Sequence, residues 1–291
     1  MFAQTTSAEA APAPAATPSY TTWQPRRPRT SSTTSTSSNT SSSSLQPHPT
    51  STPPEIYPTG RKSLSAISLR AFLLGTTLGL STSLTIYLAH HSSPAWRIPF
   101  FTASLSLFHF LEFFITAHYN TATASVSSFL LSSNGWAYNA AHGSALLECA
   151  LELWLWPTAP TRHSARILSP LCVSAGLVLV LVGQIVRSLA MAHAAANFNH
   201  HVQSRHKDGH VLVTSGIYAV LRHPSYFGFF WWGLGTQLVL GNGVCFVLYA
   251  VVLWRFFDAR IRTEESFLID FFGDDYVRFK KGTRVGIPGI A

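Results

Sequence analysis

From Leu64 to His200 the chain carries eight Asp, Glu, Lys or Arg residues in 137 positions. Water-soluble domains use about 25% charged residues, so most of this stretch must face something other than water. Residues 71–89 form an uncharged run of 19, about the length a helix needs to cross ~30 Å of hydrocarbon. A second run covers 98–117 and carries His109 and Glu112; a third covers 128–156 and carries Glu148 and Glu152. Residues 167–186 are uncharged and end just before Arg187.

Residues 224–254 are a further 31 positions without a charge. As one helix they would measure ~46 Å, too long for a bilayer. Gly241-Asn242-Gly243 interrupts them near the middle, which predicts a tight helical hairpin of two short arms. The expected fold is therefore all-α: a polytopic bundle of about six membrane spans, the last two a hairpin, with a polar cap. With six spans both termini share one side, and 17 of the 20 basic residues fall on that side. The positive-inside rule makes it cytosolic, and the polar segments 193–223 and 258–291 lie there with it.

Residues 1–60 are different in kind. Thr30 to Ser44 is Ser or Thr at every position except Asn39, with many prolines around it. Such a segment has too little apolar surface to offset its ordering entropy and is expected to be a disordered tail. The predicted organisation is a tail over 1–60, membrane spans over 61–192, and a functional region over 193–291 that includes a hairpin over 224–257 and a C-terminal helix.

Charge and cysteine usage narrow the function. The net charge is +8, but only four basic residues are lysines and none forms a stripe interleaved with aromatics, so no nucleic-acid partner is expected. Cys149, Cys172 and Cys245 sit singly in apolar runs, which fits neither a disulfide framework nor a zinc knuckle.

Three groups could carry chemistry. His200, His201, His206, His210 and His223 crowd one polar segment. His206 and His210 give an H-x-x-x-H pair, but Asp208-Gly209 breaks the helix that would align them, so the reading is interfacial histidines and no metal. Arg260 and Glu264 are an i,i+4 pair opening a helix that runs to about Lys281; they are a surface ion pair or, at the hydrocarbon boundary, a functional one. Arg222-His223-Pro224-Ser225-Tyr226 is a helix start with Pro at the first turn, or a site.

Taken together, several of these residues resemble one family. Asn197-Phe198-Asn199-His200, Gln203, the run from His210 to Tyr218, and Arg222-His223-Pro224-Ser225-Tyr226-x-Gly228 are similar to isoprenylcysteine carboxyl methyltransferases. The similarity continues through Arg260, Glu264-Glu265, Phe271-Phe272-Gly273-Asp274-Asp275-Tyr276 and Lys280-Lys281. The resemblance implies transfer of a methyl group from S-adenosyl-L-methionine to the C-terminal α-carboxylate of a prenylated cysteine, leaving S-adenosyl-L-homocysteine. It implies a cofactor site of Gln203, His210, Val211, Leu212, Val213, Tyr218, His223, Pro224, Ser225, Tyr226 and Glu264. Arg260 would address the substrate carboxylate, with Arg260 and Glu264 as the catalytic pair; whether Glu264 or Glu265 takes the acidic role stays open. Implied partners are membrane lipid and processed C-a-a-X proteins, such as Ras- and Rho-like GTPases or a lipopeptide pheromone. The implied location is the endoplasmic reticulum membrane. The alternatives are an NADPH-dependent sterol or isoprenoid reductase on a related bundle, or a non-catalytic transporter or scaffold.

Overall fold

The computed structural model describes residues 54–155, 162–206 and 209–291; of the tail predicted over 1–60, residues 1–53 lie outside them, whereas Pro54–Ile56 form a 3₁₀ turn held by the Lys62 amide donating to Glu55 O (2.8 Å). Among the described residues there are seven α-helices joined by loops and short 3₁₀ turns, and no strand. They are α1 (Leu64–His90), α2 (Arg97–Tyr119), α3 (Trp136–Leu155), α4 (Arg162–Ala194), α5 (Pro224–Leu240), α6 (Val244–Phe272) and α7 (Asp274–Gly282).

Three stretches, Leu64–His90, Pro94–Tyr119 and Pro170–Asn197, are helices long and apolar enough to cross a membrane. Helix α1 begins where the Ser63 hydroxyl accepts from the Ala66 amide, and it buries only Leu74. Its exposed leucines, together with Phe72 and Ile86, suit a surface that meets lipid rather than water. The third apolar run behaves differently from expectation. Residues 126–129 form a 3₁₀ turn, and helix α3 starts only at Trp136. Polar Ser132-Ser133-Asn134 and then Gly135, at φ 81°, hold the chain out of helical geometry before that point.

The bundle is organised around the contact of α4 with α5. Helices in lipid gain little from burying apolar surface against each other, so close backbone approach must supply the attraction. Glycines provide it in two layers seven residues apart. A Cβ placed on Gly183 would lie 2.6 Å from the Gly228 carbonyl oxygen, and one on Gly176 would lie 2.8 Å from that of Gly235. No side chain fits in either gap.

The uncharged 31-residue run does divide at 241–243. Gly241, at φ 80°, ends α5 in the left-handed region, and α6 begins at Val244. Charges inside apolar runs satisfy the backbone at this turn. Arg97 at the start of α2 donates to the Leu240 carbonyl (3.2 Å), and Glu148 of α3 accepts from the amides of Val244 (2.8 Å) and Cys245 (2.7 Å). Asn242 donates to Ala145 O (2.9 Å) and Gln237 Oε1 (2.8 Å).

The hairpin does not end at 257, and no separate C-terminal helix opens at Arg260. Helix α6 runs unbroken to Phe272, because nothing between Phe256 and Phe272 opposes helix. Arg260 and Glu264 thus lie well inside it. The break comes at Gly273 (φ 55°, ψ −129°), a conformation closed to residues with a Cβ, and α7 follows. The chain then returns: the Arg222 amide donates to Arg284 O (2.9 Å) and the Arg284 amide to Val220 O (3.2 Å), while Val285, Ile287 and Ile290 are buried.

The α4–α5 seam generates a stability prediction. Gly183→Leu should destabilise the detergent-solubilised protein by about 3 kcal/mol, the upper end for overpacking against rigid backbone. A thermal melt in which Gly183→Leu matches the native chain, while Gly75→Leu on lipid-facing α1 lowers the midpoint, would contradict this packing.

Candidate functional site

The loop segments 195–206 and 209–223, together with α3, α4, α5 and α6, line a cavity of about 690 Å³. The loop is fixed to the helices by polar contacts. Asn120 donates to Phe198 O (3.1 Å) and the Ile217 amide to His193 Nδ1 (3.1 Å), while within the loop Asn197 Oδ1 accepts from the Val211 amide (3.0 Å). Tyr218 donates to Ala190 O (3.3 Å), and burial near Glu264 pushes its hydroxyl pKa up, keeping it a neutral donor.

Three arginines and three carboxylates meet here, and their pairing is unequal. Glu112, 1% exposed on α2, binds the Arg187 guanidinium through both carboxylate oxygens. Arg187 also donates to the Ser225 hydroxyl (3.0 Å) and lies over the rings of Phe108 and Phe229. His200 Nε2 completes the group at 2.8 Å from Glu112. One acid inside an apolar helix therefore holds α4, the start of α5 and the loop together.

The second pair is Arg222 with Glu265. Glu265 accepts from Arg222 Nε (2.6 Å) and from Lys280, and His223 Nε2 lies 3.2 Å away. Burial alone would raise the Glu265 carboxyl pKa, but hydrogen bonds from His223, Lys280 and Arg222 bring it down to about 2. Its negative charge is therefore fixed across the physiological range. Burial and the same carboxylate push the Tyr276 hydroxyl up. This cluster ties α5, α6 and α7 together.

Arg260 is the exception. Its guanidinium donates to the Tyr226 hydroxyl (2.8 Å) and the His200 carbonyl (2.5 Å), and it lies over the rings of Tyr226 and Phe256. Both acceptors are neutral. Among the described residues no carboxylate forms a salt bridge with it. The expected direct i,i+4 ion pair with Glu264 is replaced by a bridge: Tyr226 donates to Glu264 Oε2 at 2.6 Å. Helical spacing brings positions 260 and 264 to one face, but the Tyr226 ring enters from α5 and takes the space between their ends.

The structure separates the two adjacent acids. Glu264 lines the cavity, whereas Glu265 is 5% exposed and turned into the Arg222 cluster. His223 stands between them, its Nδ1 at 3.6 Å from Glu264. Of the other residues expected at the site, His210, Val211, Leu212, Val213 and Tyr218 line the cavity from the loop. His223, Pro224, Ser225 and Tyr226 line it from the start of α5, and Arg260 from α6. Gln203 is the one expected residue outside it: it lines a small adjoining hollow that shares His210 and Glu264. The His206 and His210 rings lie near each other (5.7 Å between centroids, tilted) and meet Phe271 and Phe272 edge-on, so those phenylalanines pack on the loop.

Glu112 and Arg187 are not singled out by the sequence as site residues, while Arg222 appears there only as part of a helix start or site and Glu265 only as the alternative to Glu264. The only signal is a lone acid in an apolar run, which must find a partner; the sequence does not say which. The cavity itself has two ends. Glu264, Asn197, His200 and the 210–213 backbone make the polar one, while α3 and α6, through Ala141, Leu248, Val252 and Phe256, make the apolar one. Arg260 stands at their junction.

Comparison with known proteins agrees with this geometry. The isoprenylcysteine carboxyl methyltransferase (ICMT) family profile matches residues 176–270, which include α5 and the polar loop. A protein-S-isoprenylcysteine O-methyltransferase of Saccharomyces cerevisiae is 42% identical over 235 residues, covering 80% of this chain and 95% of the relative. The Homo sapiens protein of that name is 42% identical, with 77% and 75% covered. A solved structure of the eukaryotic intramembrane Ras methyltransferase ICMT superposes with a TM-score of 0.67 at 35% identity, covering 77% of each chain. With a relative this similar aligned over nearly its whole length, the chain belongs to the isoprenylcysteine carboxyl methyltransferase family.

Proposed function

We infer that this chain is a membrane enzyme that methylates the C-terminal α-carboxylate of prenylated cysteine in processed C-a-a-X proteins, with S-adenosyl-L-methionine as the donor. The observation that carries the reading is Arg260: a guanidinium without a carboxylate partner, at the junction of the polar and apolar ends of one cavity. An anion attached to a hydrocarbon chain is the ligand such a junction fits.

The residues of the polar end suit the donor. A methionine-derived ammonium calls for an anion, and Glu264 supplies a carboxylate held by Tyr226. The cavity of about 690 Å³ is within the usual size of ligand sites, so it has room for a nucleoside together with part of a lipid chain. When bound, S-adenosyl-L-methionine supplies a methyl group on a positively charged sulfur and leaves as S-adenosyl-L-homocysteine.

What remains for the protein is positioning. The substrate carboxylate is ionised at neutral pH, so no general base is required. Arg260 can offer two parallel donors to that carboxylate and never loses its charge. Tyr226 and the His200 carbonyl fix its plane, and His200 is itself tied to buried Glu112. Glu264 and Arg260, bridged by one hydroxyl, set the two ligand charges at a fixed separation. Aromatic walls at Tyr226, Phe256 and Phe257 keep water away, and in a dry site alignment of oxygen, methyl and sulfur is most of the catalytic task.

The membrane setting follows from the same chemistry. A prenyl chain gains ~0.8 kcal/mol per buried CH₂ in lipid, so the substrate tail resides in the bilayer and enters from the side. We read α1 to α6 as six spans, with the short α5 and the first half of α6 forming the hairpin. Both termini and the cap then face the cytosol, where 17 of 20 basic residues fall. The endoplasmic reticulum is the membrane proposed, and Ras- or Rho-like GTPases or a lipopeptide pheromone are the substrates proposed. The tail before residue 54 is proposed to take no part in catalysis.

Microsomes bearing the full chain should transfer labelled methyl from S-adenosyl-L-methionine to N-acetyl-S-farnesylcysteine but not to N-acetylcysteine; equal labelling of both would overturn the assignment. Arg260→Ala should lower kcat/KM by roughly 10²–10³-fold, as loss of a charge-assisted carboxylate contact does, while binding of S-adenosyl-L-homocysteine stays near normal. A variant that keeps its rate would show that Arg260 does not hold the substrate carboxylate. Deleting residues 1–53 should leave specific activity within about twofold, and a large drop would assign that segment a function.

A further inference from the structure

One hydrogen bond crosses the apolar end of the cavity. Tyr249 Oη of α6 and His142 Nδ1 of α3 are 2.9 Å apart, and both residues line the cavity although each is only 8% exposed. Walls joined at that distance leave no gap through which a hydrocarbon chain can thread. Just past this contact the two helices touch again, Cys245 Sγ donating to Ser144 Oγ (3.8 Å), so the Tyr249–His142 bond marks where the apolar end closes.

The pair is an odd choice for a lipid-facing wall. His142 Nε2 is buried with no hydrogen-bond partner, and an apolar residue would fill the same space without that penalty. The imidazole is also held on three sides, by Tyr138 (4.2 Å between centroids), Phe101 (5.6 Å) and Trp232 (6.3 Å). Its partner in the bond is Tyr249 of α6. It sits eleven residues before Arg260 on one unbroken helix, ~17 Å along the axis at 1.5 Å per residue. That depth is comparable with an extended farnesyl chain and short of a geranylgeranyl chain.

We propose that the Tyr249–His142 hydrogen bond is the bar that ends the prenyl channel and sets the accepted chain length: a farnesyl chain ends against it, and a geranylgeranyl chain must displace the Tyr249 side chain to be accommodated. The proposal rests on the reading of this cavity as a prenylcysteine site. Tyr249 is then a specificity-determining residue, remote from the reacting atoms.

The test compares kcat/KM for N-acetyl-S-farnesylcysteine and N-acetyl-S-geranylgeranylcysteine in microsomes bearing the full chain. Tyr249→Ala, which removes both the hydrogen bond and the ring, should raise the geranylgeranyl-to-farnesyl ratio by about tenfold. Tyr249→Phe keeps the ring and removes only the bond, so it should raise the ratio by roughly threefold, and it decides the matter should the alanine variant not accumulate. A ratio that stays within about twofold of the native value in the accumulating variants, or that falls, overturns the bar while leaving the methyltransferase reading intact. A native chain that methylates neither substrate overturns both.

Discussion

A charge at the edge of a hydrocarbon phase has to be neutralised or used. Three arginines converge where α2, α4, α5 and α6 meet the polar loop, and two are neutralised in place, Arg187 by Glu112 and Arg222 by Glu265. Burying such pairs is costly, and removing one partner costs more than forming the pair gains. What the pairs provide is position: each ties together elements distant in the chain. The third arginine, Arg260, is left with two neutral acceptors. The site depends on that imbalance, because a fully neutralised cluster would have no charge to offer an incoming carboxylate.

The scaffold that holds this arrangement uses little side-chain volume. Gly176 and Gly183 let α4 lie against Gly235 and Gly228 of α5 with backbone nearly in contact. That seam places Arg187 directly beneath Ser225, at the first turn of α5. At the far end of α5, Arg97 and Glu148 satisfy the backbone of the hairpin turn and Asn242 ties the turn to Ala145 of α3, so α6 is anchored at both ends of its apolar half. Its continuation past residue 257 carries Arg260 and Glu264 along the wall of the cavity as parts of a rigid rod, which loops would hold less closely.

Much of this is legible in the sequence for one reason: hydropathy and breakers act locally. The apolar runs, the turn at 241–243 and the concentration of polar residues over 193–223 need no knowledge of partners. The third run misleads by about eight residues at its start, since Leu130 and Leu131 are apolar yet lie in a loop. The C-terminal helix is also misplaced by the sequence, because the charges at 258–260 read as a boundary where helix propensity is in fact unopposed. Gly273, the true break, stands in the sequence without a cue distinguishing it from the glycines that merely pack.

The sequence by itself determined that the chain is helical and built largely for lipid, that its polar chemistry gathers in the loop before α5 and along α6, and which family its motifs resemble. Tertiary structure alone decided how the charges pair. Glu264 and Glu265 are neighbours in the chain, but the 100° turn between successive helical residues sends one into the cavity and the other into the Arg222 cluster. Likewise, Glu112 and Arg187 are 75 residues apart, and Tyr249 and His142 are 107 apart. Ion pairs and hydrogen bonds act over a few ångströms, so which of them form depends on where whole helices are placed, and no local pattern encodes that.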